Sequence, residues 1–157
     1  MKIRSAIASE LVQLRELRNL SAQAGCHAVY SSEQLLAWLK RPLPEKMLLL
    51  VNDGFVLVAE VHQAIVGYGA LDPNTHEVEA VFVLPSFAGR GIGRALLNAL
   101  ESQALSLNIK YLHLAASLNA VSFYRAAGYI SGTRAEFPLE HGLALEYENM
   151  AKSLCAA

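Results

Sequence analysis

The segment from Val78 to Leu100, VEAVFVLPSFAGRGIGRALLNAL, constrains the fold of this chain more than any other. An apolar, β-branched run from Val78 to Leu84 is stopped by Pro85, and a short loop then carries Gly89, Gly91 and Gly93. Apolar residues return at Ile92, Ala95, Leu96, Ala99 and Leu100. The spacing predicts a strand, a glycine loop and a helix. Because glycine lacks Cβ, such a loop can take positive φ and turn its N–H groups toward a closely approaching ligand. The first turn of the helix adds unsatisfied N–H groups and the positive end of the dipole. An anion held there gains charge-assisted hydrogen bonds of about 1.5–3 kcal/mol each. Arg90 and Arg94 place full charges beside it, so the expected ligand is a phosphate or pyrophosphate.

Three kinds of glycine loop compete. A P-loop ends in Gly-Lys-Ser/Thr, whereas Gly93 is followed by Arg94-Ala95, with no lysine for a terminal phosphate and no hydroxyl for magnesium. A dinucleotide fingerprint needs G-x-G-x-x-G, but Leu96 holds the last position and the strand lies mid-chain. The third pattern is a glutamine or arginine, two residues, Gly, one residue, then Gly or Ala, and its spacing falls on Ala88 to Gly93. FVLPSFAGRGIGRALL resembles motif A of the GCN5-related N-acetyltransferases (GNAT), and NAVSFYRAAGY, from Asn119 to Tyr129, resembles their motif B. Two motifs in this order are far more specific than one loop, and the resemblance covers nearly the whole chain. One position departs from it: Ala88 stands where the family usually has Gln or Arg. That removes a side-chain contact to the pyrophosphate, for which Arg90 or Arg94 are the substitutes, and leaves the backbone cradle intact.

At 157 residues a single domain spanning 1–157 is expected. Thirteen basic residues face 14 acidic ones without forming a stripe, so nothing favours nucleic acid as a partner. Cys26 and Cys155 are far apart and make no metal-ligand pair, which suits a reducing compartment. His27, His62, His113 and His141 share no ligand spacing either, so no metal is expected. The N-terminus lacks a signal-type apolar core and no run is long enough to span a membrane, so the expected location is cytoplasmic.

In chain order, Met1 to Ile7 reads as a strand. A helix with leucines at 11, 14, 17 and 20 is ended by Gly25, and a second runs from the Ser31/Gln34 capping box to about Lys40. Met47 to Val51 fits either a helical turn or a strand. Strands are predicted over 55–61 and 65–71, joined at His62-Gln63-Ala64, and again over 110–116, 129–137 and 143–150. The motif A helix is expected to last to about Leu107. A short helix over Asn119–Ala127 is stopped by Gly128. This order matches the mixed α/β fold of the GNAT family, a central, mostly antiparallel sheet flanked by helices. The resemblance further implies that the strands carrying motifs A and B splay apart. The pantetheine arm of coenzyme A would lie in the gap against backbone groups of Phe82, Val83 and their neighbours.

The activity implied by the resemblance is transfer of an acetyl group from acetyl-CoA to an amine, with acetyl-CoA as cosubstrate. A base must take the proton of the amine and a donor must meet the leaving thiolate, help worth about a hundred- to ten-thousand-fold. Glu79, a carboxylate amid Val78, Ala80 and Val81, is the expected base; otherwise it faces solvent or pairs with an arginine. Glu77 and His76 are its substitutes. Tyr124 is the expected acid, because the family's motif B tyrosine points to the sulfur. The other role open to Tyr124 is packing, which Phe123 is expected to do in either case. Gly89, Arg90, Gly91, Ile92, Gly93 and Arg94 are the expected phosphate cradle. Asn119 is expected to cap its helix and, by resemblance, to bond the cofactor. Arg125 could reach the ribose phosphate or lie solvated.

Acceptor choice in such enzymes is implied to reside in the first two helices and the last strands. Tyr30, Trp38, Glu136, Glu140, Glu146 and Glu148 there suit a small cationic amine, although the glutamates also fit the wet face of a sheet. A protein Nα-amine or lysine is the alternative acceptor, and a non-catalytic acyl-CoA-binding regulatory module the alternative function. Homodimers are frequent in the family.

Overall fold

The computed structural model describes residues 1–154; Cys155 lies outside the described residues. Seven strands form one sheet: β1 (Lys2–Ser5), β2 (Val56–Val61), β3 (Ala64–Asp72), β4 (Glu77–Val83), β5 (Tyr111–Ser117), β6 (Ile130–Pro138) and β7 (Ala144–Ser153). Their order across the sheet is β1-β2-β3-β4-β5-β7-β6. Every neighbouring pair is antiparallel except β4 and β5. Among the described residues five α-helices connect them: α1 (Leu11–Cys26), α2 (Ser32–Leu39), α3 (Lys46–Asn52), α4 (Ile92–Ser106) and α5 (Val121–Ala126). This is the mixed, mostly antiparallel α/β sheet expected from the element order.

Alternation along the strands assigns the two faces. Leu57 and Ala59 of β2 pack with Leu96, Leu97 and Leu100 of α4 and with Tyr124 of α5. Val56 and Val58, turned the other way, pack with Leu14 and Leu17 of α1 and with Met47, Leu50 and Val51 of α3. A third cluster joins Cys26, Tyr30, Leu35 and Leu39 to Leu139 and Leu145, seating α2 against β7 and the turn before it. At roughly 25 cal/mol per Å² of apolar area, a buried leucine contributes about 1.5–3 kcal/mol, so these clusters set the geometry of the sheet.

Local chemistry explains the element boundaries. Ser31 Oγ accepts the Gln34 N–H at 3.1 Å while Gln34 Oε1 accepts the Ser31 N–H at 2.8 Å, the reciprocal cap read from the sequence. The ambiguous 47–51 run is helical because Met47, Leu50 and Val51 meet the core at helical spacing directly after Pro44. Gly25 does not end α1, which continues through Cys26. A Cβ on Gly25 would lie 3.1 Å from Asn119 Nδ2, so the glycine there permits close approach of another segment.

Candidate functional site

The parallel strands β4 and β5 pair at one register position, Glu77 with His113, reinforced by the His113 N–H donating to His76 O at 3.0 Å. Beyond it the two strands share no ladder pair among the described residues, and the centre of the sheet is open. The Leu84 N–H donates to Val66 O at 2.8 Å, and the register pairs Phe82 with Tyr68 and Ala80 with Ala70. Antiparallel alternation therefore commits the main chains of Phe82 and Ala80 to β3 and turns those of Val81 and Val83 into the opening. Of Phe82, Val83 and their neighbours, the main chains of Val83 and of the neighbour Val81 face the opening, and that of Phe82 is turned to β3. On the far rim, the His113 N–H already points to β4, so Ala115 and Ser117 of β5 follow it. Two rows of main-chain groups thus face a gap that an extended chain can enter as an added strand.

The glycine loop leads out of this gap. Gly89 (φ 77°) and Gly91 (φ 79°) take the left-handed conformation expected of them, and Gly91 is the N-cap of α4 with no side chain capping the helix. The first intrahelical bond in this turn runs from Ala95 N–H to Gly91 O at 3.0 Å. The N–H groups of Ile92, Gly93 and Arg94 are left as donors at the positive end of a helix of 15 residues. Gly93 has ordinary helical φ. Its missing Cβ makes room for Phe123, whose Cε1 would stand 3.3 Å from such an atom. Arg90 lies over the Phe87 ring at 4.9 Å. Arg94 is turned along the helix, donating to Asn98 Oδ1 at 3.2 Å and Ala126 O at 3.3 Å. Arg125 donates to Ser131 Oγ at 3.1 Å.

Glu79 occupies a β-bulge. The register steps from Ala70/Ala80 to Leu71/Val78, so Glu79 is the extra residue of β4, and Val78 and Ala80 fall on opposite faces of the sheet. The bulge re-aims the Glu79 side chain, which is largely buried and paired with Lys46 Nζ. Lys46 also donates to Asp72 Oδ2 at 3.2 Å. Glu79 thus has a cationic partner, a lysine where an arginine was one of the expected alternatives. Burial raises the Glu79 carboxyl above the ordinary glutamate range, the Lys46 contact opposes this, and neighbouring Glu77 adds to it. A carboxylate so raised is a better proton acceptor near neutrality than an exposed one.

Tyr124 is buried between Phe123 (ring centroids 5.0 Å) and Tyr129 (5.7 Å). Burial raises its phenol well above the usual range, so it stays protonated and keeps a proton to donate. Asn119 does not cap α5. The helix starts at Val121 with Ala120 as N-cap, and Asn119 sits in the preceding tight turn, Leu118–Ala120. Its Oδ1 accepts the Cys26 S–H at 3.1 Å, and burial pushes that thiol up to about 11.

The residues expected on the acceptor side divide. A cleft of about 380 Å³ is lined by Tyr30, Gln34, Leu118, Leu143, Glu136 and Glu146 among others. The Tyr30 hydroxyl accepts the Leu118 N–H at 3.0 Å and donates to Glu146 O at 2.5 Å, tying the loop after α1 to the end of β5 and to β7. The other three residues lie outside the lining: Trp38 beneath Arg18, Glu140 paired with Lys40, and Glu148 buried against Ser131 and Arg134. Sequence reasoning missed Lys46 and Cys26, neither of which stands in a motif. Among the described residues no group of three His, Cys, Asp or Glu could hold a metal ion, and no helix is long and apolar enough to cross a membrane.

Comparison with known proteins fits this geometry. An uncharacterized N-acetyltransferase of Pyropia yezoensis is 29% identical over 112 residues, 65% of this chain and 64% of that protein. The chain thus spans about 64% of the length of the curated relatives it matches. The crystal structure of a GCN5-related N-acetyltransferase from Rhodopseudomonas palustris superposes with a TM-score of 0.87 at 25% identity, over 97% of this chain and 94% of that one. The PaiA N-acetyltransferase of Thermoplasma acidophilum, in complex with coenzyme A, has the same fold (TM-score 0.78, 21% identity, 97% and 98% covered). The family model for an acetyltransferase (GNAT) domain matches residues 26–148. That match runs from the end of α1 into the last strand and takes in both the glycine loop and the Asn119–Tyr129 segment, and by it this chain belongs to the GNAT acetyltransferase family.

Proposed function

We propose that this protein is an acetyl-CoA-dependent N-acetyltransferase whose acceptor, a small cationic amine, attacks directly in a ternary complex. The observation that carries the reading is the opening between β4 and β5, with the main chains of Val81 and Val83 unpaired and the uncapped N-terminus of α4 at its exit. In this reading acetyl-CoA supplies an activated acyl group as a thioester. The amides of Ile92, Gly93 and Arg94, with the Gly89–Gly91 loop, hold its pyrophosphate, and Val81 and Val83 hold the pantetheine as an added strand. Arg90, exposed in the loop, contributes charge. Arg94 contributes its amide while its guanidinium is engaged with Asn98 and Ala126. Asn119 offers its amide N–H₂, its oxygen being taken by Cys26.

Glu79 takes the proton of the incoming amine, directly or through water, and Tyr124 donates a hydrogen bond to the departing sulfur. A phenol held above its usual range is a weaker acid than a thiol, so its contribution is stabilisation of the thiolate. The cleft edged by Tyr30, Glu136 and Glu146 receives the acceptor, and its carboxylates favour a cation.

The reading is tested by following release of free CoA thiol from acetyl-CoA across a panel of amines and peptides. Amine-dependent release is expected. It should fall about a hundred- to ten-thousand-fold in Glu79→Gln and about ten- to a hundredfold in Tyr124→Phe, the worth of one hydrogen bond to a charge. Cationic amines acetylated at pH 8 no better than neutral ones would remove the cationic acceptor, and turnover of peptides alone would replace it with a protein amine. Tight CoA binding with no release from any acceptor would leave an acyl-CoA-binding module, and NADH binding would revive a dinucleotide reading.

A further inference from the structure

Lys46 is the first residue of α3, and the first turn of a helix is the unfavourable end for a cation. Its backbone is well fixed. The Met47 N–H donates to Pro44 O at 3.0 Å, and Met47, Leu50 and Val51 are buried against Val56, Val58 and Tyr68. From there the ammonium reaches two carboxylates on two strands, Asp72 Oδ2 at 3.2 Å at the end of β3 and Glu79 on the bulge of β4. Asp72 is buried, and its Oδ1 accepts the Asn74 N–H at 2.9 Å. Burial pushes the Asp72 carboxyl up, but the Asn74 N–H and Lys46 outweigh it and hold Asp72 below the usual range. Asp72 is therefore a lasting anion that anchors Lys46 from one side. Glu79 keeps a raised carboxyl, with Glu77 as its like-charged neighbour.

The other ionisable side chains packed near β4, Arg18 and His113, are turned elsewhere. Arg18 of α1 donates to the carbonyls of Leu39 (3.3 Å) and Arg41 (2.7 Å). His113 of β5, beside Glu77 in register, places Nε2 2.7 Å from Thr75 O. Lys46 is thus the cation that faces the bulge carboxylate.

We propose that Lys46 is a positioning residue for the reaction: anchored by Asp72, it aims the Glu79 carboxylate and holds it as an anion against Glu77. The inference rests on the reading of Glu79 as the base. Without Lys46 the two glutamates are left facing each other, and like charges at close range disfavour ionisation of both. A base must be deprotonated to act, so loss of Lys46 moves the acid limb of the reaction to higher pH.

The experiment compares wild type, Lys46→Met, Lys46→Arg and Glu79→Gln in two readouts. The first is the pH titration of the Glu79 side-chain carboxyl carbon by NMR. Its midpoint is expected to rise in Lys46→Met by about 1–3 pH units, the usual effect of an adjacent opposite charge, and to return toward wild type in Lys46→Arg. The second is the pH profile of kcat/KM for amine-dependent thiol release. Its acid limb should rise by the same amount in Lys46→Met, recover in Lys46→Arg and disappear in Glu79→Gln. A merely structural lysine would lower activity or melting temperature without moving either midpoint. If the limb vanishes in Glu79→Gln but neither midpoint moves in Lys46→Met, the proposal for Lys46 is overturned and Glu79 stands as base. If Glu79→Gln keeps full activity with an unchanged acid limb, the base reading itself fails and the role of Lys46 in the reaction fails with it.

Discussion

Glu10, Asp72 and Glu79 each meet a cation, and the balance against burial differs among them. Arg4 Nη2 and Nη1 fork onto Glu10 at 2.7 and 3.0 Å and hold it below the usual range, and Lys46 with the Asn74 N–H does the same for Asp72. Glu79 stays above that range because burial and Glu77 outweigh Lys46. The signs follow from linkage. The stability that Glu10 contributes is fully present above its unfolded value of 4.5 and is lost as pH falls through its lower folded value. Glu79 acts in the opposite sense, since the folded chain binds its proton more tightly and ionisation above 4.5 costs stability. Urea midpoints measured from pH 2 to 7 should therefore show Glu10→Gln destabilised at pH 7 and close to wild type at pH 2. A loss equal at both ends would contradict the pairing. Glu79→Gln should leave the midpoint at pH 7 unchanged or higher while activity falls, and a clear loss of stability would mean that the Lys46 pair outweighs burial. Tyr124 is singled out in the sequence by residue type within a motif and Glu79 as a carboxylate in the apolar run before one, whereas Lys46 is not. Its partners are 26 and 33 residues away, joined only by the packing of α3 onto the sheet.

Among the elements, the turn between β2 and β3 is built from residues that resist its geometry. His62 (φ 51°) and Gln63 (φ 68°) both lie in the left-handed region, as a two-residue hairpin with a primed turn requires, and neither is glycine. A left-handed non-glycine residue costs roughly 1–2 kcal/mol. Replacing His62-Gln63 by Asn-Gly should raise the melting temperature, by about 2–4 °C for each kcal/mol relieved in a domain of this size. A scanning-calorimetry trace with no rise would contradict the strain. Most element positions were readable from apolar spacing and punctuation, including the Ser31 cap and the positive φ of Gly89 and Gly91. The exceptions share a cause. Gly25, Gly93 and Asn119 sit where another segment comes within contact distance, and that contact overrides the local preference for a C-cap, a left-handed turn or an N-cap.

At the scale of the molecule, the sheet is open at its centre. Two strands that should complete it meet at Glu77 and His113 and then part, leaving unpaired main-chain groups in the middle of the sheet rather than at its edge. Strand splaying is invisible to periodicity, because the apolar pattern of β4 is the same whether or not its hydrogen bonds are made; here it was expected only through resemblance. The cleft proposed for the acceptor is hidden for a similar reason, as Tyr30 and Glu146 are brought together over 116 residues. A ligand that fills the opening supplies the missing partners, so coenzyme A should raise the melting temperature, by the equivalent of about 2.7 kcal/mol at a hundred times its Kd.

The most direct measurement is a titration of ¹⁵N-labelled protein with coenzyme A, followed at each amide. The amides of Val81 and Val83, facing the opening, and of Ile92, Gly93 and Arg94, at the head of α4, should shift and gain protection from hydrogen exchange. The amides of Phe82 and Leu84, bonded to β3, should change far less. Coenzyme A binding that leaves Val81 and Val83 exchanging as in the free protein would contradict the opening as its seat.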